Sequence, residues 1–517
     1  AVIDAHTEAL AQLERALRFD LEPEQRRVAL RDAAQQAYDL SRFADIERFI
    51  EEALAIPGGS AEDLASLHQH AARAARHRGD LAADEGYLAA AERLLEALPP
   101  SPQRASIATA RVARAAVDVQ PERLAAAAER ALRIARALDD ADIAARVEAQ
   151  VQAFVVVSRL DSGDPAGLDL LEEVTRLADQ HHLPGGVSAT ALLNAYEGSV
   201  LSLFHETATL LHERALDAFR RHELGWQSWI APSRVLELVQ RGRYEEARAL
   251  TGTITAPEAG TPDAVVLSCA GALREARAGS LDQARAALAA GKTERGFQQA
   301  ALIDVVRLEL AMLTGDSGLG ELAQGVYGRM NRHHYARVAG VAAVGLARSG
   351  RGSPPPPPWL VADAPLRVLW EWAAGIDRHD AALLRVVAAR LTAMHCPYEA
   401  ALALRDAGDF GAAYRALRAL GATTAREQVA EDLRLRGERI PRRSRSALDP
   451  DGLTETERQV CRLVATGASN EQVAARLTVS VHTVETHLTH IYQKTGQRGR
   501  TALIVWWLHR TSETVAP

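Results

Sequence analysis

Aromatic side chains make up only 5% of the 517 residues, although 47% of the chain is hydrophobic. A core with so few rings must be built from alanine and aliphatic side chains, which favours closely packed helices over β-sandwiches. The three cysteines, Cys269, Cys396 and Cys461, are far apart and none belongs to a CxxC pair. That excludes a disulfide framework and a local thiolate zinc site, and a reducing compartment is expected. No apolar run reaches the roughly 18 to 20 residues needed to cross a bilayer. The opening stretch, AVIDAHTEALAQLERALRFD, is acidic where a signal peptide would be basic and then apolar, so a cytoplasmic protein without membrane contact is expected. The chain begins at Ala1 rather than methionine, as a fragment of a longer protein would. Lysine occurs only at Lys292 and Lys494, so arginine supplies nearly all the positive charge.

That charge is unevenly placed. The net charge is −7, yet from Pro441 onward ten Lys+Arg face seven Asp+Glu, leaving 50 against 60 for residues 1 to 440. A basic end on an acidic body is the pattern of a chain that meets a polyanion through that end alone.

Before residue 437 apolar positions recur at three and four residue spacings, broken by short Gly, Asp or Pro turns, and no window sustains a period of two; this part reads as all-α. One turn recurs at Gly79-Asp80-Leu81, Gly242-Arg243-Tyr244, Gly279-Ser280-Leu281 and Gly408-Asp409-Phe410, and alanine follows three residues on in all but the first, where Asp84 stands. Glycine suits the left-handed end of one helix, the apolar residue pins the turn, and alanine lets the next helix pack close. The glycines Gly242, Gly279, Gly315 and Gly350 are 37, 36 and 35 residues apart, near the roughly 34 of a tetratricopeptide hairpin. A tetratricopeptide-like solenoid is therefore expected, with an irregular helical bundle as the competing arrangement. Ser353 and Pro354 to Pro358 must form a non-helical spacer, because five prolines lack amide hydrogens. The expected organisation is a helical-repeat region over 1–352, the polyproline spacer over 353–358, continuing repeats over 359–436, a linker over 437–452 and a C-terminal domain over 453–513.

In that last domain, Thr454 with Glu457 and Ser469 with Gln472 have capping-box spacing. They predict a first helix ended by Gly467 and a second over about Asn470 to Leu477. A turn through Ser480 leads to a third helix, about Val481 to Thr495, and Thr501 is placed to cap a fourth through Leu508. A short helix, tight turn and longer helix is a helix-turn-helix. At 100° per residue Val484, Leu488 and Ile491 fall within about 60° of one another and form the underside, facing Val473, Leu477 and Val479. The opposite face carries His482, Glu485, Thr486, Thr489 and Gln493, all hydrogen-bonding residues of the kind that meet base edges, although a merely solvated face would look alike. Lys494, Arg498 and Arg500 cluster beyond it where phosphates could be clamped, and Asn470 opens the second helix, where free amides suit an anion. Arg442, Arg443 and Arg445 precede the domain as a basic arm. Trp506 and Trp507 on the fourth helix are candidates for core and for a dimer contact.

The stretch from Leu453 to about Leu508 closely resembles the DNA-binding domain of LuxR-type transcription regulators. The shared positions include Leu453-Thr454, Glu457, Ala465-x-Gly467, Ser469-Asn470, Ser480, Thr483-Val484, His487-Leu488, Lys494 and Arg500. The resemblance implies base-facing roles for Glu485, Thr486 and Thr489, backbone-contacting roles for Asn470, Thr483 and Lys494, and a fourth helix that pairs two domains. Cys461 and Thr495 depart from it, since leucine is usual at both. Upstream, Cys396-Pro397-Tyr398-Glu399-Ala400 and AGDFGAAYRALRALGA resemble the region before this domain in the large ATP-binding LuxR regulators of actinobacteria. That implies an ATPase ahead of Ala1, and hence no cofactor in the present chain.

No catalytic constellation accompanies these features, and no enzyme is expected. Gly291-Lys292-Thr293 ends like a phosphate loop, but Ala286 stands where the first glycine should be. His205-Glu206 is followed by His212, seven rather than four residues from the first histidine, so the zinc fork is wrong. The expected function is a DNA-binding transcription regulator, an activator, working as a homodimer on double-stranded DNA. A protein or small-molecule effector is expected on its repeats, with RNA polymerase as a further partner. The alternative is an interaction scaffold, or the sensor arm of an ATP-dependent switch.

Overall fold

The computed structural model describes residues 5–118, 120–257, 261–290, 297–441, 453, 455–477 and 479–513, and it divides into two compact units, 1–438 and 439–517. Among the described residues there are 27 α-helices and no strand, so the fold is all-α, as expected.

In the N-terminal unit most consecutive helices pack on one another, as Ala61–His77 does on Leu81–Leu95, and the recurring turn shows why. Gly79, Gly242, Gly279 and Gly408 all have positive φ, and in each case the helix begins two residues later, at Leu81, Tyr244, Leu281 or Phe410. The intervening residue closes the turn with a backbone bond five residues back, as from Asp409 N to Leu404 O at 2.9 Å, the geometry of a left-handed helix end. Ala247, Ala284 and Ala413 are fully buried, which lets the following helix settle against its predecessor. In the exceptional first copy Asp84 is buried too, held by Arg76 through two bonds of 2.9 Å.

The same turn occurs where the sequence shows no glycine. Ser41, Leu203, His334, His379 and His395 all take positive φ, and helices begin two residues later at Phe43, His205, Ala336, Ala381 and Pro397. Each makes the same five-back closure, from Arg42, Phe204, Tyr335, Asp380 and Cys396. The repeat is thus more regular in backbone than in sequence.

The chain also returns on itself within this unit. Gly225 N donates to Asp39 O at 2.8 Å, and Ser41 Oγ donates to Gly225 O at 3.0 Å. Farther on, Arg277 on the helix Pro262–Ala278 is 1% exposed and bridges Glu309 (2.7 and 3.0 Å) to Glu399 (3.0 Å), with the Tyr398 ring 3.9 Å from its guanidinium carbon. The bond to Glu399 spans 122 positions and that from Ser41 to Gly225 spans 184. The prolines of 353–358 contain no helical residue and lie inside this unit, where Tyr327 Oη donates to Pro355 O at 3.2 Å. Just beyond them Trp359 stacks on His334 and donates to Asn331.

His205 is buried and burial pushes its pKa down to about 3, while Glu206 turns instead to His395 at 3.0 Å. The two residues therefore form no zinc fork. The Gly291-Lys292-Thr293 segment lies outside the described residues.

Candidate nucleic-acid interface

Four helices build the C-terminal unit: α1 (Glu455–Ala465), α2 (Asn470–Leu477), α3 (Val481–Thr495) and α4 (Arg500–Glu513). The ends of α2 and α3 fall where the sequence puts them. Ser469 and Gln472 exchange side-chain-to-backbone bonds of 3.2 and 2.9 Å, completing the capping box ahead of α2. Ser480 Oγ accepts from Thr483 N at 3.1 Å to start α3, and left-handed Gly496 stops it. At α4 the outcome differs: the helix starts at Arg500, one residue before the expected cap Thr501, and continues past Leu508. Thr454 lies outside the described residues, as do Arg442, Arg443 and Arg445.

The underside of α3 packs as its phase requires. Val484, Leu488 and Ile491 join Val460, Val464, Val473, Leu503 and Trp507 in one core. Leu477 packs against this core, whereas Val479 is 37% exposed at the turn. Cys461 is buried in the same core, so the small departure from leucine is a packing variation.

With the aliphatic edge fixed inward, the opposite edge is held out. His482, Glu485, Thr486, Thr489 and Gln493 are all exposed. The two threonines carry a further restriction. Thr486 Oγ1 donates to His482 O at 2.9 Å and Thr489 Oγ1 donates to Glu485 O at 3.0 Å. With the hydroxyl hydrogens spent on the helix, each oxygen offers lone pairs alone. Glu485 is likewise an acceptor, so three neighbouring positions suit the amino groups of cytosine and adenine, and the threonine methyl groups suit thymine.

The four expected phosphate positions on the helix ends, and Thr483, are used in different ways. Lys494 Nζ donates to both carboxylate oxygens of Glu457, at 2.8 and 2.7 Å, and that carboxylate is only 4% exposed. Sequence reasoning assigned Glu457 to a cap with Thr454 and missed this tie between α1 and α3; an acidic and a basic residue 37 positions apart carry no local signal. Arg500 donates to Asn470 Oδ1 at 2.8 Å and to Ala468 O, pinning the start of α2. Thr483 shares a 2.8 Å hydroxyl contact with Ser480. Arg498 is exposed and makes no hydrogen bond or ion pair to a described residue. On α4, Trp507 is buried in the core while Trp506 is half-buried, which leaves Trp506 as the outward member of the pair.

Residues 451–507 match the family described as bacterial regulatory proteins, luxR family. The C-terminal unit is a LuxR-family helix-turn-helix domain. Over 78 residues, 15% of this chain, the sequence is 49% identical to a protein of Mycobacterium bovis named as a candidate HTH-type transcriptional regulator, and equally to counterparts in two strains of Mycobacterium tuberculosis. The match spans 8% of the length of those relatives.

Proposed function

We propose that this chain is a DNA-binding transcription regulator that inserts α3 into the major groove. The observation that carries the reading is the row His482, Glu485, Thr486, Thr489 and Gln493, exposed along one edge of a helix whose other edge is core. Glu485, Thr486 and Thr489 read bases, while Asn470, Thr483, Lys494, Arg498, Arg500 and the arm Arg442, Arg443 and Arg445 meet the sugar-phosphate backbone. Two copies bind two half-sites about one helical turn apart, paired through α4 at Trp506. The regulator acts as a cytoplasmic activator that recruits RNA polymerase. It has no enzymatic activity or cofactor within this chain, and its helical repeats receive a protein or small-molecule effector.

The test is a footprint and binding-site selection with the intact chain and with Glu485→Ala. The reading expects a protected palindromic site, and a variant that binds a shifted set of sequences. A selected sequence identical for both proteins would remove Glu485 from base reading. Binding to residues 1–436 alone would instead support an interaction role for the repeats.

A further inference from the structure

Within the N-terminal unit the helices line a partly open cavity of about 770 Å³. The helix Gly185–Leu201 forms one wall, presenting Val187, Thr190, Asn194 and Glu197, which recur at helical spacing along a single stripe. The ten helical steps from Val187 to Glu197 correspond to about 15 Å of helix, so the space is elongated.

Its two ends differ in chemistry. Near the start of this helix, Trp226 and Trp229 stack with centroids 4.8 Å apart, and Tyr38 packs edge-on to both. Gly186 has room for only a contact with Trp226, 3.8 Å from where its Cβ would lie, which fixes the rings at this end. Three turns along stand Glu197 and Asp263, the latter in the first turn of the helix Pro262–Ala278. Ala153, Phe154 and Val157 line the stretch between.

Among the described residues neither carboxyl has an arginine, lysine or histidine within ion-pair distance, and the hydrogen bond from Ser233 Oγ to Glu197 is long, at 3.5 Å. Burial pushes Asp263 up to about 7 and Glu197 up to about 8, the second helped by the charges of Asp263 and Asp161. The cavity's three arginines are differently placed: Arg76 is paired with Asp84, Arg73 lies on the face of Tyr38, 3.5 Å from its centroid, bonded to Gln35, and Arg146 is exposed to solvent. Two carboxyls that face one cavity with no cation in ion-pair reach among the described residues are half of an ion pair.

We propose that this cavity binds an elongated organic ammonium, its charged head between Glu197 and Asp263 and its apolar body lying along the wall toward Trp226 and Trp229. The proposal gives a chemical class to the effector of the preceding section and rests on that reading only for its consequence in gene control. An ammonium supplies the missing charge and up to three donors, and its arrival displaces the protons that the empty carboxyls hold near neutral pH. The stacked indoles offer the far end of the ligand an aromatic surface.

Three isosteric probes separate charge from shape: 4-phenylbutylamine, 4-phenylbutanol and 4-phenylbutyrate, titrated calorimetrically into the full chain at pH 8.5. The amine is expected to bind at least about tenfold more tightly than the alcohol, and the carboxylate more weakly still, by the worth of a charge-assisted bond. Amine affinity should rise between pH 6 and 8.5, because the carboxyls ionise over that range while the ammonium stays protonated. In Glu197→Gln with Asp263→Asn the amine should lose its advantage while the alcohol still binds, which also reports that the cavity remains folded. Equal binding of amine and alcohol, tighter binding of the carboxylate, an amine preference surviving in the double variant, or no binding by any probe would each overturn the proposal. No DNA enters this titration, so its failure would leave the major-groove reading of α3 standing, and failure of the footprint would leave this one.

Discussion

Arg277 of the N-terminal unit is 1% exposed and lies between two glutamates, whereas Glu485 on α3 of the C-terminal unit faces solvent with no arginine or lysine beside it among the described residues. The contrast extends beyond these two. Glu237 is fully buried and takes bonds from Tyr196, Arg234 and Arg241, while Thr486 and Thr489 satisfy their own hydroxyl hydrogens and leave their oxygens outward. In the repeats, polar groups specify which helices meet, since a buried charge tolerates only the partner that satisfies it. On the outer edge of α3 they are spared that duty, because Val484, Leu488 and Ile491, with the bond from Lys494 to Glu457, hold the helix. Side chains on the outer edge can therefore be exchanged without unfolding the domain, which is what a surface that changes sequence preference requires.

The largest expected breach of this contrast is Arg277→Ala. It strands two glutamates and should cost about 3 to 5 kcal/mol. Calorimetry of the intact chain should show a lowered transition for residues 1–438 and an unmoved one for the LuxR-family domain; a loss below about 1 kcal/mol would mean that the triad is not sensed as buried. Lys494→Ala tests the one place where the C-terminal unit behaves like the repeats. It takes the ammonium away from the buried Glu457 carboxylate and should cost about 1 to 3 kcal/mol of that domain's stability, measured by urea denaturation. Thr486→Ala should leave stability within about 0.5 kcal/mol and yet shift base preference at one position by about 1 to 2 kcal/mol, read by binding-site selection. Smallest of all is Arg498→Ala, with every DNA sequence weakened alike and the slope of log K against log salt reduced by about 0.9, since one phosphate contact is lost. Were Lys494→Ala to lower the salt slope as Arg498→Ala does, without a stability loss, its bond to Glu457 would not be its main employment.

The periodicity of Val484, Leu488 and Ile491 was enough to orient α3, because a helix of known phase has one buried side and its caps at Ser480 and Gly496 are local. The repeat was legible only where glycine marks it. His334, His379 and His395 occupy the same left-handed position, which histidine enters more readily than most residues but which no spacing rule assigns to it. Long-range partners were not legible at all. Nothing near Lys494 names Glu457, nothing near Arg500 names Ala468, and the gathering of Tyr38, Trp226 and Trp229 depends on residues almost 190 positions apart. The domain boundaries, the arm and the dimer contact rest on the sequence as proposals still.

The backbone bond from Gly225 to Asp39 has a consequence for how this chain can change over time. An open array gains or loses a hairpin with little penalty, because every unit touches only its neighbours. Here the path must close after a fixed number of residues for Asp39, Ser41 and Tyr38 to find Gly225 and Trp226. Substitutions inside each hairpin are tolerable one by one, but adding or deleting a hairpin between residues 41 and 225 would slip every later contact out of step, so between these points length is more tightly constrained than spelling.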